Sequence, residues 1–223
     1  MSEFTAPAPH WLAGPLATAV RLICGAGARW VGPGPGSPPG RQCIFFANHT
    51  SHLDPVVIWA ALPRSWRAVA RPIAARDYWV KSAVRRFLSQ RVFRAVLIDR
   101  ATPAAQSSDA ERMARARAVV EATLAEMSVE FSVILFPEGT RGSGEEPARF
   151  KSGLYYLAKA KPTLELVPVY LENLGRILPK GEFLPVPLLA TATFGSPLRL
   201  AAGEARDAFL ERARAAIVAL RRA

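Results

Sequence analysis

The chain has 223 residues, half of them hydrophobic, which is enough for one domain with a sizeable core and at most a short appendage. Lys and Arg outnumber Asp and Glu by 29 to 18, and the formal charge of +11 suits an anionic partner such as a phosphate ester, a lipid surface or nucleic acid. The two cysteines, Cys24 and Cys43, form neither a CxxC motif nor a disulfide framework, which excludes a small disulfide-stabilised domain and favours a reducing compartment.

The amino-terminal segment lacks the basic region, uninterrupted apolar region and cleavage site of a secretory signal, so we expect a cytoplasmic protein. Residues 11–31 form an apolar run that would be about 30 Å long as a helix. Arg21 lies at its centre, where a charge costs about 2.5 to 3.5 kcal/mol on insertion scales. We therefore predict a membrane-associating helix that lies in the interface, while a helix packed on its own domain fits the sequence equally well.

Residues 32–40, with the sequence GPGPGSPPG, are too rich in Pro and Gly for a helix or strand and are predicted to be a linker. The chain is therefore predicted to consist of an amino-terminal segment, residues 1–40, and a folded domain, residues 41–223. In this domain short β-type runs alternate with helical segments, which predicts an α/β fold with a mostly parallel sheet flanked by helices. Strands are predicted at residues 43–47, 67–70, 95–98, 131–136, 164–170 and 189–194, and helices at residues 55–62, 78–90 and 150–160.

Two more helices are predicted from local patterns. Ser108-x-x-Glu111 resembles a capping box that opens a helix, and Met113, Val120, Leu124 and Met127 then share one face. The carboxyl-terminal segment has an apolar stripe that we interpret as core rather than as a docking surface: Phe209, Ala213, Ile217 and Leu220.

Two of the three histidines lie in FANHTSHLDP, residues 46–55, directly after the first strand predicted in the domain. Ligands of open α/β sheets bind at the carboxyl ends of strands, so His49 lies where chemistry is expected. On an ideal helix His49 and Asp54 would be about 140° apart, so they can meet only across a turn or an irregular helix start. Asp54 resembles an N-cap, although Ser51 could cap one turn earlier with Asp54 reaching back to it.

A carboxylate that accepts a hydrogen bond from one imidazole nitrogen leaves the other nitrogen as an oriented proton acceptor, so the pair could act as a general base. The residues of this loop also allow purely structural caps, or a metal site of His49, His52 and Asp54, although no further histidine or cysteine lies nearby in the sequence. A covalent mechanism has no G-x-S-x-G motif to support it, and Cys43 would point out of a strand.

A second polar motif, FPEGTR at residues 136–141, follows another predicted strand. Arg141 offers a planar fork of donors that suits a phosphate or a carboxylate, and Gly139 allows close approach of the backbone. By itself the motif could equally be a charged turn.

Together, NHxSxxD at residues 48–54 and FPEGTR resemble the glycerolipid acyltransferase family, and within it most closely the 1-acyl-sn-glycerol-3-phosphate acyltransferases. The blocks AVLIDR, VPV and FKxG at residues 95–100, 167–169 and 150–153 extend the likeness over about residues 41–171.

The resemblance implies a glycerol-3-phosphate acyltransferase-like fold and transfer of a fatty acyl group from acyl-CoA or acyl-carrier protein, without metal or cofactor. The acceptor would be the free hydroxyl of a lysophospholipid, above all lysophosphatidic acid, at the cytoplasmic face of a membrane where the enzyme would be peripheral or monotopic. By analogy His49 is the base and Asp54 its orienting partner. The acceptor phosphate site would comprise Glu138, Gly139, Thr140, Arg141 and Arg100.

The sequence departs from the family pattern at Arg94, where a glycine is usual, and at Leu97, where an aromatic residue is usual. His52 occupies a variable position and is expected to have no catalytic role. Glycerol-3-phosphate or another lysolipid is therefore an alternative acceptor. The alternative outside the enzymes is a non-catalytic basic module that binds a lipid headgroup or nucleic acid, although the basic residues are dispersed and no nucleic-acid motif is present.

Overall fold

Seven strands form one sheet in the part of the chain that the computed structural model describes: residues 11–25, 27–34, 41–98, 109–127, 131–142, 146–174 and 190–221. The strands are β1 (Gly27–Trp30), β2 (Cys43–Ala47), β3 (Ala70–Ala75), β4 (Val96–Ile98), β5 (Ser132–Leu135), β6 (Glu165–Glu172) and β7 (Thr191–Phe194). Their order is β1-β7-β6-β2-β5-β3-β4, and every neighbouring pair is parallel except β6 with β7. The predicted mostly parallel α/β sheet is confirmed.

Helices cover both faces of this sheet. Successive residues of β2 face opposite sides, as the period of two requires: Cys43, Phe45 and Ala47 enter one apolar cluster, and Ile44 and Phe46 enter the other. The first cluster is covered by α1 (Ala13–Ile23), α2 (Asp54–Ala61) and α3 (Arg64–Val69), and the second by α6 (Asp109–Met127), α7 (Gly153–Ala160) and α8 (Arg206–Leu220). Between these groups lie α4 (Arg76–Trp79) and α5 (Ala83–Phe87), which continues as one π-helical turn over Leu88–Val92.

The amino-terminal helix is shorter than predicted and packs on its own domain. It ends at Ile23, because Gly25 has φ 54 and the chain then turns into β1. Arg21 is directed at the end of α2: its Nε donates to the Ala60 carbonyl at 2.7 Å, and its Nη2 donates to the next two carbonyls at 3.3 and 3.4 Å. This central arginine therefore satisfies backbone acceptors that α2 leaves unpaired. Among the helices of the described residues, none combines the length and the hydropathy that a membrane-spanning helix needs.

Three local predictions differ from the structure. Of the strand predicted for residues 67–70 only Ala70 is in a strand, as the first residue of β3, because α3 continues to Val69 with Trp66 buried against Phe45. The helix predicted for residues 78–90 is interrupted at Ser82, which has an extended backbone. The Ser82 side chain caps α5 by accepting the Arg85 N–H at 3.2 Å. The strand β1 was not predicted, and it joins the sheet from within the segment expected to hold only a helix and a linker.

The carboxyl-terminal stripe is core, as predicted, because Phe209, Ala213, Ile217 and Leu220 are all buried. In α6 the predicted apolar face is found at Val120 and Met127, which are buried, and at Leu124, which packs against them. Ser108 of the predicted capping box lies outside the described residues, as do the side chains of Glu111 and Met113.

The structure explains why glycine is usual in the family at the position of Arg94. Arg94 precedes β4 and has φ 49, a left-handed conformation that costs most residues about 1 to 2 kcal/mol and glycine almost nothing. A glycine would therefore be the less strained residue at this position.

Candidate active site

The loop between β2 and α2 is organised around one buried carboxylate. Asp54 is fully buried, and its Oδ2 accepts hydrogen bonds from His49 Nδ1 at 2.8 Å, from the Thr50 N–H at 2.6 Å and from the Ser51 N–H at 2.9 Å. Ser51 Oγ in turn accepts the Leu53 N–H at 3.3 Å. The bond from the Ser51 N–H to Asp54 is one half of the capping box that the sequence allows, but Ser51 Oγ bonds to Leu53 and not to Asp54. Helix α2 begins at Asp54 itself, with Leu53 as an N-cap that makes no side-chain bond, so neither Asp54 nor Ser51 is its N-cap. The irregular helix start brings His49 and Asp54 together.

The His49 ring is fixed on more than one side. Since an ionised carboxylate can only accept, the bond to Asp54 places the proton on Nδ1 and leaves Nε2 as an acceptor. The ring stacks on Phe136, with 4.2 Å between ring centroids and 24° between planes, and 20% of the side chain remains exposed. The imidazole is therefore oriented by its neighbours and still accessible, as a general base must be.

The loop after β5 holds the backbone of His49 from both sides. Glu138 is 5% exposed; its Oε1 accepts the His49 N–H at 2.8 Å and its Oε2 accepts the Ala148 N–H at 2.9 Å. The Gly142 N–H donates to the His49 carbonyl at 2.8 Å. Because β2 and β5 are parallel neighbours, their carboxyl ends meet, and the two predicted motifs form one structural unit.

Two separate features of the same loop favour glycine at position 139. Its φ is 72, which other residues adopt only with strain. A Cβ at this position would also lie 2.6 Å from Lys151 Nζ and 2.9 Å from its Cδ and Cε, so the lysine side chain lies across the glycine. The Lys151 N–H donates to the Pro137 carbonyl at 2.8 Å, which fixes the base of that side chain.

Thr140 and Arg141 are the polar side chains of the FPEGTR motif that remain available to a ligand. Thr140 is exposed and Arg141 is half-buried. Arg141 directly precedes Gly142, which bonds to His49, so its backbone lies at the same edge of the sheet as the imidazole. Within the described residues the Arg141 guanidinium forms no hydrogen bond or ion pair, and it can therefore bind an anion. Arg100, the remaining predicted phosphate ligand, lies outside the described residues.

Five backbone donors of the histidine loop are already occupied. The N–H groups of His49, Thr50, Ser51, Leu53 and Asp54 all donate to acceptors within the two loops. These donors hold the shape of the loop and in this conformation do not point to a reacting oxygen.

Two alternative explanations of this loop, a cysteine nucleophile and a metal site, have less support in the structure than in the sequence. Cys43 is fully buried, and burial together with the charge of Glu165 raises the pKa of its thiol, so a thiolate nucleophile is disfavoured. His52 stacks on Tyr78 at 4.3 Å and 11°. Over the ranges that the structure describes, no three His, Cys, Asp or Glu side chains are grouped so that they could hold a metal ion.

Two residues of the site had no role assigned from the sequence. Phe136 supplies the surface on which His49 stacks, and Asn48 ties β2 to β6 by accepting the Leu171 N–H at 2.8 Å and donating to the Leu171 carbonyl at 2.9 Å. Both residues lie within the two motifs, but their contacts depend on pairing between distant strands.

Comparison with known proteins gives related results at three levels. Residues 35–172 match the sequence model of the acyltransferase family. The 1-acyl-sn-glycerol-3-phosphate acyltransferases of Limnanthes alba and Limnanthes douglasii are 26% identical over 164 residues, which is 71% of this chain and 50% of theirs. The Cocos nucifera enzyme of the same name is also 26% identical, with 46% of its length covered. The chain thus spans about half the length of these relatives.

A similar fold occurs in a solved structure, the 1-acyl-sn-glycerophosphate (LPA) acyltransferase of Thermotoga maritima. The TM-score is 0.64 at 18% sequence identity, and the match covers 94% of this chain and 77% of the other. At this identity the likeness concerns the fold alone. With the family match covering more than half of the sequence, however, the chain belongs to the acyltransferase family.

Proposed function

We propose that this protein transfers a fatty acyl group from acyl-CoA or acyl-carrier protein to the free hydroxyl of a lysophospholipid, with lysophosphatidic acid as the preferred acceptor and phosphatidic acid as the product. The observation that carries the proposal is the 2.8 Å hydrogen bond between His49 Nδ1 and the buried Asp54. This pair lies at the same edge of the sheet as the backbone of Arg141. The names of the relatives support the same acceptor class.

In this mechanism His49 Nε2 takes the proton of the acceptor hydroxyl while its oxygen attacks the thioester carbon. Collapse of the tetrahedral intermediate breaks the carbon–sulfur bond, and the thiolate leaves and can take the proton back from the imidazolium. Asp54 stabilises the imidazolium that forms in between. A positioned general base typically contributes about 10²- to 10⁴-fold, and an alcohol nucleophile depends on it strongly.

Arg141 would bind the phosphate of the acceptor. A guanidinium can form two parallel charge-assisted hydrogen bonds to a phosphate, and Thr140 could add a hydroxyl donor. Gly139, with the Lys151 side chain lying across it, remains a proposed part of the phosphate site, and Arg100 remains a proposed further ligand. For Glu138 the two backbone hydrogen bonds favour a positioning role, because its buried negative charge would repel a phosphate in direct contact.

We also propose that the enzyme works at the cytoplasmic face of a membrane as a peripheral or monotopic protein, since a lysophospholipid acceptor resides in the bilayer. Each Lys or Arg near an anionic leaflet contributes about 1 kcal/mol, and the chain has a formal charge of +11. A nucleic-acid-binding module is less well supported. The arginines of α8 are largely paired with carboxylates: Arg206 with Asp207, Arg212 with Glu204, and Arg214 with Glu146 and Glu211.

The proposal is tested by incubating the purified protein with a panel of donors and acceptors and identifying the products by lipid mass spectrometry. The donors are acyl-CoA and acyl-carrier protein thioesters of several chain lengths. The acceptors are lysophosphatidic acid, glycerol-3-phosphate and an uncharged lysolipid. We expect phosphatidic acid to be the main product. Preferential use of glycerol-3-phosphate would replace the acceptor, and absence of acyl transfer with every pair would contradict the proposed function.

A further inference from the structure

The segment that follows β3 is strongly basic. Residues 76–98 contain one acidic residue, Asp77, and six cationic residues: Arg76, Lys81, Arg85, Arg86, Arg91 and Arg94. Lys81, Arg86 and Arg91 are exposed. Unlike the arginines of α8, none of these three has an ion pair within the described residues. These three side chains therefore give the segment a positive surface.

The same segment exposes apolar side chains between its cations. Val84 and Phe87 are three residues apart on α5 and share a face, with 69% and 41% of their surfaces exposed, and Val80 just before the helix is 41% exposed. Helices that combine apolar side chains with Lys and Arg are typical of surfaces that lie on anionic bilayers. We refer to Val80, Lys81, Val84, Arg86 and Phe87 as the α4–α5 patch.

The α4–α5 patch is connected to the candidate active site. Helix α4 begins at the carboxyl end of β3, and β3 is the parallel neighbour of β5, whose end carries the FPEGTR motif. The Tyr78 ring stacks on His52 of the histidine loop at 4.3 Å, and the Arg85 Cζ atom lies 4.4 Å from the centroid of the same ring. The patch and His49 therefore lie at the same edge of the sheet.

The exposed apolar residues of α1 lack this combination. Leu22 and Ile23 are 78% and 57% exposed, but the one cation of α1, Arg21, is hydrogen-bonded to the carbonyls at the end of α2. Arg21 also places this end of α1 at the carboxyl end of α2, whereas Asp54 lies at the amino end of that helix. Charge and position both favour the α4–α5 patch over α1 as the surface that faces a bilayer.

We propose that the α4–α5 patch docks on the surface of an anionic phospholipid bilayer and thereby holds the opening of the active site against the leaflet that contains the acceptor. This inference rests on the proposed function, because a lysophospholipid acceptor is what makes contact with the leaflet useful. Val84 and Phe87 would enter the headgroup region, and Lys81 and Arg86 would bind lipid phosphates. A water-soluble acceptor would need no such contact.

The test measures binding of the full chain to vesicles of phosphatidylglycerol and phosphatidylcholine by flotation. The variant Val84→Glu/Phe87→Glu is compared with the control Leu22→Glu/Ile23→Glu, which adds the same charges to exposed apolar positions on α1. We expect binding to fall about tenfold or more in the α4–α5 variant and to change little in the control. A milder variant, Lys81→Gln/Arg86→Gln, should weaken binding and reduce its dependence on salt concentration.

Two further readouts separate this inference from the proposed function. Circular dichroism establishes that each variant is folded, and acyl transfer to a water-soluble short-chain lysophosphatidic acid should be unchanged in all of them. If the wild type transfers no acyl group to that acceptor, the proposed function fails whatever the vesicles show. Unchanged binding in both α4–α5 variants, an equal loss in the α1 control, or no binding of the wild type to anionic vesicles would overturn the docking surface.

Discussion

The two loops that meet at the ends of β2 and β5 differ in how far their polar groups are already satisfied. In the β2–α2 loop Asp54 Oδ2 accepts three hydrogen bonds and the His49 ring, N–H and carbonyl are all held by protein groups. In the β5 loop Glu138 is equally well bonded, but Thr140 is exposed and the Arg141 guanidinium has no partner in the described part of the chain. One loop is thus preorganised for proton transfer, while the other keeps a cation available for a ligand.

If this division is correct, Asp54→Asn should have the largest effect of the variants outside His49 itself. The neutral amide cannot stabilise the imidazolium and allows the wrong His49 tautomer, so we expect kcat to fall about 10²- to 10⁴-fold. The measurement is steady-state acyl transfer with saturating donor and acceptor. Asp207→Asn, at an exposed position of α8, serves as the control and should leave kcat unchanged. Near wild-type turnover in Asp54→Asn would show that the loop is only structural.

Arg141→Ala should affect binding of the acceptor rather than turnover. Loss of a charge-assisted bidentate contact is worth about 1.5 to 3 kcal/mol, so we expect KM for lysophosphatidic acid to rise about 10- to 100-fold with little change in KM for the donor. Arg141→Lys should be intermediate, because an ammonium retains the charge but not the planar fork. Arg149→Ala, in the same loop and exposed, is the control. A larger change for the donor than for the acceptor would assign Arg141 to the thioester side.

Glu138→Gln tests whether the β5 loop supports His49. The amide can accept only one of the two N–H groups and directs its own donor at the other, so a buried donor is left unsatisfied at a cost of about 1 to 3 kcal/mol. We expect this loss in the free energy of unfolding by urea, together with a lower kcat. Glu146→Gln removes only an exposed ion pair with Arg214 and should cost less than about 1 kcal/mol. Equal stability of the two variants would rule out the supporting role of Glu138.

Gly139→Ala should give the smallest effect, about 1 to 2 kcal/mol of stability. Gly203 provides a close control, because its φ of 73 matches that of Gly139 at 72 while a Cβ there would meet nothing within 4 Å. The excess cost of Gly139→Ala over Gly203→Ala therefore measures the contact with Lys151, and Lys151→Ala should remove that excess. If the two alanine variants are equally stable, the Lys151 side chain makes room for the new Cβ without cost and glycine is favoured at position 139 by its φ alone.

Much of the sheet could be predicted from local sequence, and the exceptions have physical causes. The five residues of β2 are apolar on both faces and were identified with the correct bounds. The segment at residues 67–70 is too short for its period to distinguish strand from helix. Its first three residues end α3, where Trp66 packs on Phe45, and only Ala70 begins β3. The sequence GARW of β1 is not typical of a strand. This segment becomes a strand by pairing with β7, which lies much later in the chain, so the local sequence does not show it.

In the candidate site, too, local sequence predicted some contacts and missed those that depend on strand pairing. His49 and Asp54 could be paired from the sequence because they are five residues apart and the turn between them is encoded locally by Ser51 and Asp54. The stacking of His49 on Phe136 and the two bonds of Glu138 could not be predicted, since they exist only when β2 and β5 pair in parallel with their observed register. Local order was therefore visible in the sequence, whereas contacts between the loops required the fold.

The most direct test of the central claim is the rate of acyl transfer from a thioester to lysophosphatidic acid by His49→Ala, measured beside the wild type with circular dichroism and urea unfolding on both. We predict that transfer falls at least about 10²-fold while the fold is retained, because the imidazole is the proton acceptor. A folded His49→Ala protein that keeps most of the wild-type rate would contradict the account.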